Sequence, residues 1–187
     1  LVHRTRQAYG EEENALTQLR DQISSWVSPV HRLDRATSGI LLFAKNEEIL
    51  PILKSLFMER KIEKKYLTIV RGIPAIKEGL IDHPLQSERS NKLQEAQSKF
   101  KVLAETEIPY NSTGRYPTSR YSLLEMDLLT GRTHQIRRHL AHIRHYIIGD
   151  KKHGDNKQNS FFERLFSLQN LLLHSWKLDF IHPLTKE

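Results

Sequence analysis

Between Tyr121 and Leu129 the chain keeps a two-residue rhythm: Ser122, Leu124, Met126 and Leu128 alternate with Leu123, Glu125 and Asp127. That period belongs to a strand with two different faces. Residues 95–103 read as a second strand. Pro109 to Arg120, rich in Gly, Pro, Ser, Thr and Asn, reads as the loop or hairpin tip between them. A hairpin of this kind commits the chain to antiparallel pairing, which limits what the other segments can do. Lys65 to Val70 fits a strand ending at Gly72, and Leu171 to Phe180 a strand stopped by Pro183. The apolar run Ile40-Leu41-Leu42-Phe43-Ala44 suits a strand buried on both faces.

Helices are fewer. Ala15, Leu16, Leu19, Ile23 and Trp26 recur at spacings of three and four, which predicts a helix over 14–26. Asn46 can cap a helix to about Arg60, with Pro51 near its first turn and Ile49, Ile52, Leu53, Leu56 and Phe57 on one face. Thr133 can cap another to about His145, with Ile136, Leu140, Ile143 and then Ile147 along one side. Residues 149–160 read as a polar loop, Phe161 to Leu168 as a short helix, and Glu11-Glu12-Glu13 as a solvated turn or helix start. The fold class is α+β: a central mixed, mostly antiparallel β-sheet flanked by helices and loops.

A length of 187 residues suits one domain. The chain opens at Leu1 rather than Met and stops after His182-Pro183-Leu184, so a single domain lacking its extreme N- and C-terminal segments is expected. The charge balance is +7, from 29 Lys and Arg against 22 Asp and Glu, which favours a polyanionic partner, nucleic acid before acidic membrane. With no cysteine, disulfides, zinc fingers, iron–sulfur clusters and thiol catalysis are excluded. No apolar run reaches the roughly 18 residues of a membrane span, and no signal-peptide pattern opens the chain. A soluble, cytoplasmic, basic domain is expected.

Two segments can carry chemistry. In His31 to Gly39 the carboxylate of Asp34 sits between Arg32 and Arg35, in a turn feeding a core strand. A surface ion pair would explain an arbitrary Asp, but such a turn is where a rigid scaffold presents a reactive side chain. Residues 131–145 hold four Arg, four His and no acid. A helix there would offer phosphates a basic side, although Arg138, Arg144 and His145 fit a solvated face equally well. His139, His142 and His145 are spaced by three, but no acid interrupts them and adjacent arginines would repel a dication, so no metal site is assigned. Tyr66 lies in the basic strand Lys64-Lys65-Tyr66-Leu67-Thr68, where it could stack on a base. Lys61, Lys64, Lys65, Arg71 and Lys99 are further candidates for an RNA-facing surface.

These segments resemble the motifs of the RluA-type pseudouridine synthases. His31-Arg32-Leu33-Asp34-Arg35-Ala36-Thr37-Ser38-Gly39 is similar to the family's catalytic-loop signature. Lys65 to Gly72 resembles its second motif and Thr130 to Leu140 its third. Leu172-Leu173-His174 with Phe180-Ile181-His182-Pro183 resembles the closing segment. The resemblance extends over residues 1–187. The strand that usually opens the domain, with its Asn-Lys-Pro-x-Gly segment, is not in the sequence. Within the family, Leu19 to Ile23, and Gly149 to Asn156 with the polar stretch after it, resemble the TruC type, which modifies tRNA at the base of the T stem, uridine 65.

The resemblance implies the pseudouridine synthase fold and an isomerase needing no cofactor. Such an enzyme cleaves the N-glycosidic bond of a uridine in RNA, rotates the base and rejoins it through carbon five. The nucleotide must leave its stack. By the same resemblance Asp34 is the catalytic carboxylate and Arg137 its partner. Tyr66 is the pocket aromatic, Ile136 packs against it, and Arg32 fills the gap left by the flipped base. Arg35, Lys65, Arg132, His134, Arg138 and Arg144 are expected to meet RNA. A monomer acting on tRNA is expected. A ribosomal RNA target, a non-catalytic RNA-binding protein and a metal-dependent hydrolase are the alternatives.

Overall fold

The computed structural model describes residues 14–186, so the acidic run at 11–13 lies outside the described residues. In chain order the first elements are α1 (Ala15–Ile23), β1 (Ser28–Pro29), β2 (Ser38–Gly39), β3 (Phe43–Ala44), α2 (Ile49–Met58) and β4 (Glu63–Arg71). Then come β5 (Glu78–Asp82), β6 (Leu85–Gln86), β7 (Leu93–Gln94), β8 (Gln97–Ile108), β9 (Ser119–Leu128), α3 (Gln135–His142), α4 (Asn156–Phe166) and β10 (Leu173–Asp179).

The hairpin is β8–β9, registered from Ser98↔Leu128 to Ile108↔Ser119. It seeds a six-stranded sheet of order β2-β10-β4-β9-β8-β5, antiparallel throughout except where β2 runs parallel to β10. The sheet is thus mixed and mostly antiparallel, and the α+β expectation holds. Strand β8 runs five residues past its expected end at 103. A bulge between Val102 and Ala104 breaks the alternation, and the polar arm beyond it is held by pairs such as Arg120 with Glu107.

Even-numbered β4 side chains (Tyr66, Val70) join Leu124 and Met126 of β9 in the main core, against Ile136 and Leu140 of α3 and Ile147 beyond it. The helix stripe expected along 136–147 is therefore the contact face. The opposite face of the sheet carries Lys65, Glu125 and Asp127 at one end. A second cluster, Val30, Ala44, Ile49 and Leu53, holds α2 and packs Trp26 and Phe57 at its margin. Ile52 is exposed, so the face expected for α2 is narrower by one residue.

Three local expectations are corrected. Ile40–Ala44 is not one strand buried on both faces: Ile40 is exposed, and the chain leaves β10 at Gly39 to join β1 at Phe43. Thr133 does not cap α3. His134 takes the N-cap position, at φ 52° and with no side-chain bond to the helix, while the Gln135 side chain accepts the Arg132 N–H (3.0 Å). Within the stretch read as a polar loop, Asp155 accepts the Lys157 N–H, so α4 begins at Asn156. Among the described residues, no helix is long and apolar enough to cross a membrane.

Candidate active site

Residues 31–37 form the loop between β1 and β2, anchored at both ends. His31 stacks on Phe57 (centroids 4.7 Å apart), and its Nε2 accepts the Leu42 N–H at 3.1 Å. Burial, with the Lys64 charge adding to it, lowers His31 to about 4 against the pull of the Arg32 backbone, so the ring stays a neutral acceptor. At the other end Gly39 takes φ +115° and presses on Ser175. A Cβ there would lie 2.1 Å from the Ser175 carbonyl, so only glycine fits. Between the anchors, the Thr37 N–H donates to the Asp34 carbonyl (3.0 Å), closing a turn that leaves the Asp34 side chain about one-quarter exposed.

Helix α3 delivers the partner. Arg137 is buried, and its Nε and Nη2 each donate to Asp150 at 2.7 Å, to Oδ2 and Oδ1. The third nitrogen, Nη1, is left 3.6 Å from Asp34 Oδ2. Asp150 is 1% exposed and also accepts the Lys152 and His153 N–H groups at 2.9 Å each. Burial opposes charge on both members of this pair. For Arg137 the Asp150 hydrogen bonds and the charges of Asp150 and Asp34 outweigh burial, and the guanidinium is raised. For Asp150 the Arg137 and backbone N–H groups outweigh it, and the carboxyl is lowered. The guanidinium is thus a fixed fork, aimed by one carboxylate at another.

His134 stands beside them. Its Nε2 is 3.9 Å from Asp34 Oδ2, and its Nδ1 is 3.0 Å from His153 Nε2. Burial lowers both histidines, in His134 against the pull of Asp34. Tyr66 is 8% exposed, opposite Ser175 of β10. Burial raises its phenol; the Ser175 hydroxyl pulls the other way, and the Asp34 charge adds to the rise. Ile136 shares its core cluster. Asp34 and Thr37 line a cleft of about 210 Å³ with Leu33, Arg35 and Ser38.

The structure therefore brings together Asp34, His134, Arg137, Tyr66 and Ile136, with Arg32 exposed on the same loop. The other cations are placed differently. Lys65 is on the far face of the sheet, bound to Glu125 (2.9 Å) and near Asp127 (3.7 Å). Arg132 donates to the Glu95 carbonyl and Arg138 to that of Gln86. Arg144 is exposed, past the end of α3, in a cleft of about 560 Å³ with Arg71 and His145. The triad of histidines is dispersed. His139 binds Ser98 and the His83 carbonyl, His142 stacks on His83 at 3.7 Å, and His145 reaches the Arg71 carbonyl. Among the described residues, no group of three His, Asp or Glu could hold a metal ion. Sequence reasoning missed Asp150 and His153. The available signal was an acid just downstream of a helix with none, where buried guanidinium charge could be matched.

Two solved human structures share this architecture. RNA Pseudouridylate Synthase Domain Containing 1 matches with a TM-score of 0.75 and 25% identity, over 93% of this chain and 71% of that one. RNA Pseudouridylate Synthase Domain Containing 4 matches at 0.66 and 22%, over 88% and 71%. The fold is that of a pseudouridylate synthase domain. In sequence, the RNA pseudouridylate synthase family model matches residues 1–142. Relatives include the tRNA pseudouridine synthase C of Vibrio parahaemolyticus, 46% identical over all of this chain and 79% of that protein. That of Haemophilus ducreyi is 44% identical, over 99% and 79%. The chain belongs to the RNA pseudouridylate synthase family, in its RluA type. Enzymes of this family are isomerases.

Proposed function

We propose that this enzyme converts a uridine of tRNA to pseudouridine, at the base of the T stem, uridine 65. The tRNA reading is supported by relatives named tRNA pseudouridine synthase C that are 41–46% identical over the whole chain. The site is one working domain, and it acts in the cytoplasm, where tRNA is found.

The observation that carries the mechanism is the pairing of Arg137 with two carboxylates, one buried and one facing a cleft. The reaction conserves atoms: the N1–C1′ bond breaks, a C5–C1′ bond forms, and the C5 proton is exchanged for one on N1. Asp34 supplies the carboxylate, acting on the sugar or the base. Arg137 Nη1 orients it, because Asp150 occupies the other two nitrogens. Tyr66 stacks on the flipped uracil over Ile136, and Arg32 enters the space the base leaves. Arg35, His134, Arg132, Arg138 and Arg144 meet the RNA, the last three setting register through phosphates.

The test uses tRNA and ribosomal RNA from cells lacking the gene, incubated with wild type and Asp34→Ala, with pseudouridines mapped by chemical labelling. One new tRNA site at the T-stem base, absent with the variant, is expected. A site only in ribosomal RNA would replace the substrate, and conversion by Asp34→Ala would remove Asp34 from the chemistry.

A further inference from the structure

Two neighbouring lysines of β4 differ in a way the mechanism above does not use. Lys65 has Glu125 and Asp127 as counter-charges. Lys64 has no ion pair or hydrogen bond to any described residue, yet it is half-buried. Its charged neighbour is another cation, Arg60, and burial lowers the amine. An alternating strand puts Lys64 on the same face as Tyr66, about 7 Å further along it. The Nζ lies 3.8 Å from where a Cβ on Gly131 would be, and its charge is felt by His31. One ammonium group thus stands where the catalytic loop, β4 and the turn before α3 converge. A half-buried cation with no counterion among the described residues is a cost, which an arriving anion removes.

Resting on the RNA-modifying reading above, we propose that Lys64 binds a backbone phosphate of the RNA strand, at or beside the nucleotide whose base meets Tyr66. The ligand class is a phosphodiester, held as a point charge rather than by a bidentate fork. Lys64 would hold the strand at its phosphate, while Arg32 fills the gap left by the base.

The test is a cycle between protein and RNA. T-arm stem–loops carrying a single neutral methylphosphonate, walked through the links around the target uridine, are titrated by anisotropy with wild type, Lys64→Met and Lys64→Arg. At one link, neutralisation should weaken wild type by about tenfold and Lys64→Met by less than about twofold, with Lys64→Arg following wild type. The melting temperature of Lys64→Met should equal or exceed that of wild type. Equal losses for wild type and Lys64→Met at every link would overturn the proposal. So would a variant that melts lower and loses affinity for every RNA alike. Conversion of the unmodified stem–loop by wild type is recorded in parallel. Its failure would count against the enzyme's assigned substrate, while the binding cycle still decides the role of Lys64.

Discussion

One cleft is lined by the loop that carries Asp34, another by Arg71 at the end of β4. The cleft at Asp34 has about 210 Å³; the one at Arg71, Gly72, Arg144 and His145 has about 560 Å³. Each has a carboxylate near an arginine, but the two carboxylates are spent differently. Near the large cleft, Asp155 is bound to Arg71 at 2.6 Å, and its other oxygen caps α4. In the small one, the Asp34 carboxylate has Arg137 at 3.6 Å and His134 at 3.9 Å, and Arg137 spends its other two nitrogens on Asp150. The larger cleft has its carboxylate committed to an ion pair and a helix cap; the smaller has one held in place but not used up, and that difference is why the proposed chemistry is set there.

The comparison can be broken at Arg137. Arg137→Ala should lower kcat by about 100-fold or more and tRNA affinity much less; normal turnover at saturating tRNA would move Arg137 to the phosphate-binding group. Asp150→Asn keeps the shape but leaves the guanidinium half-matched. A drop in stability of about 3–5 kcal/mol is expected from breaking a buried pair, with kcat down about tenfold in the folded fraction. Denaturant melts and single-turnover rates check both. At the far cleft, Arg144→Ala should raise KM a few-fold with kcat unchanged, and flatten the salt dependence of binding. At His31, lowered from 6.5 to about 4, the effect falls on stability and leaves turnover untouched. The unfolded chain takes up that proton first, so stability should fall as pH drops from about 6.5 to about 4 and this contribution should then level off. His31→Gln should remove that part of the slope in pH-dependent melts.

Much of this was legible beforehand. The alternation of β9 and the turn residues after Pro109 located the hairpin, and the spacing of Ile136, Leu140 and Ile147 located the buried side of α3. Asp34, Tyr66 and Arg137, which the structure places near one another, were singled out through motif resemblance, not periodicity. What stayed hidden depended on distant partners. Gly39 reads as a strand boundary until Ser175 is placed against it. The edge strand β5, only five residues long, gains its order from β8. Asp150 reads as one acid in a polar stretch, and its burial follows from a helix 13 residues upstream aiming Arg137 at it. Lys65 looked like its neighbour Lys64, but strand alternation sends the two to opposite faces.

The most direct measurement is single-turnover conversion of unmodified tRNA by three proteins: wild type, Asp34→Ala and Arg144→Ala, with tRNA affinity measured alongside. The expected result is no conversion by Asp34→Ala, at an affinity within a few-fold of wild type, and a wild-type rate for Arg144→Ala once tRNA is saturating. Conversion by Asp34→Ala, or loss of the saturated rate in Arg144→Ala with Asp34 intact, would contradict the account.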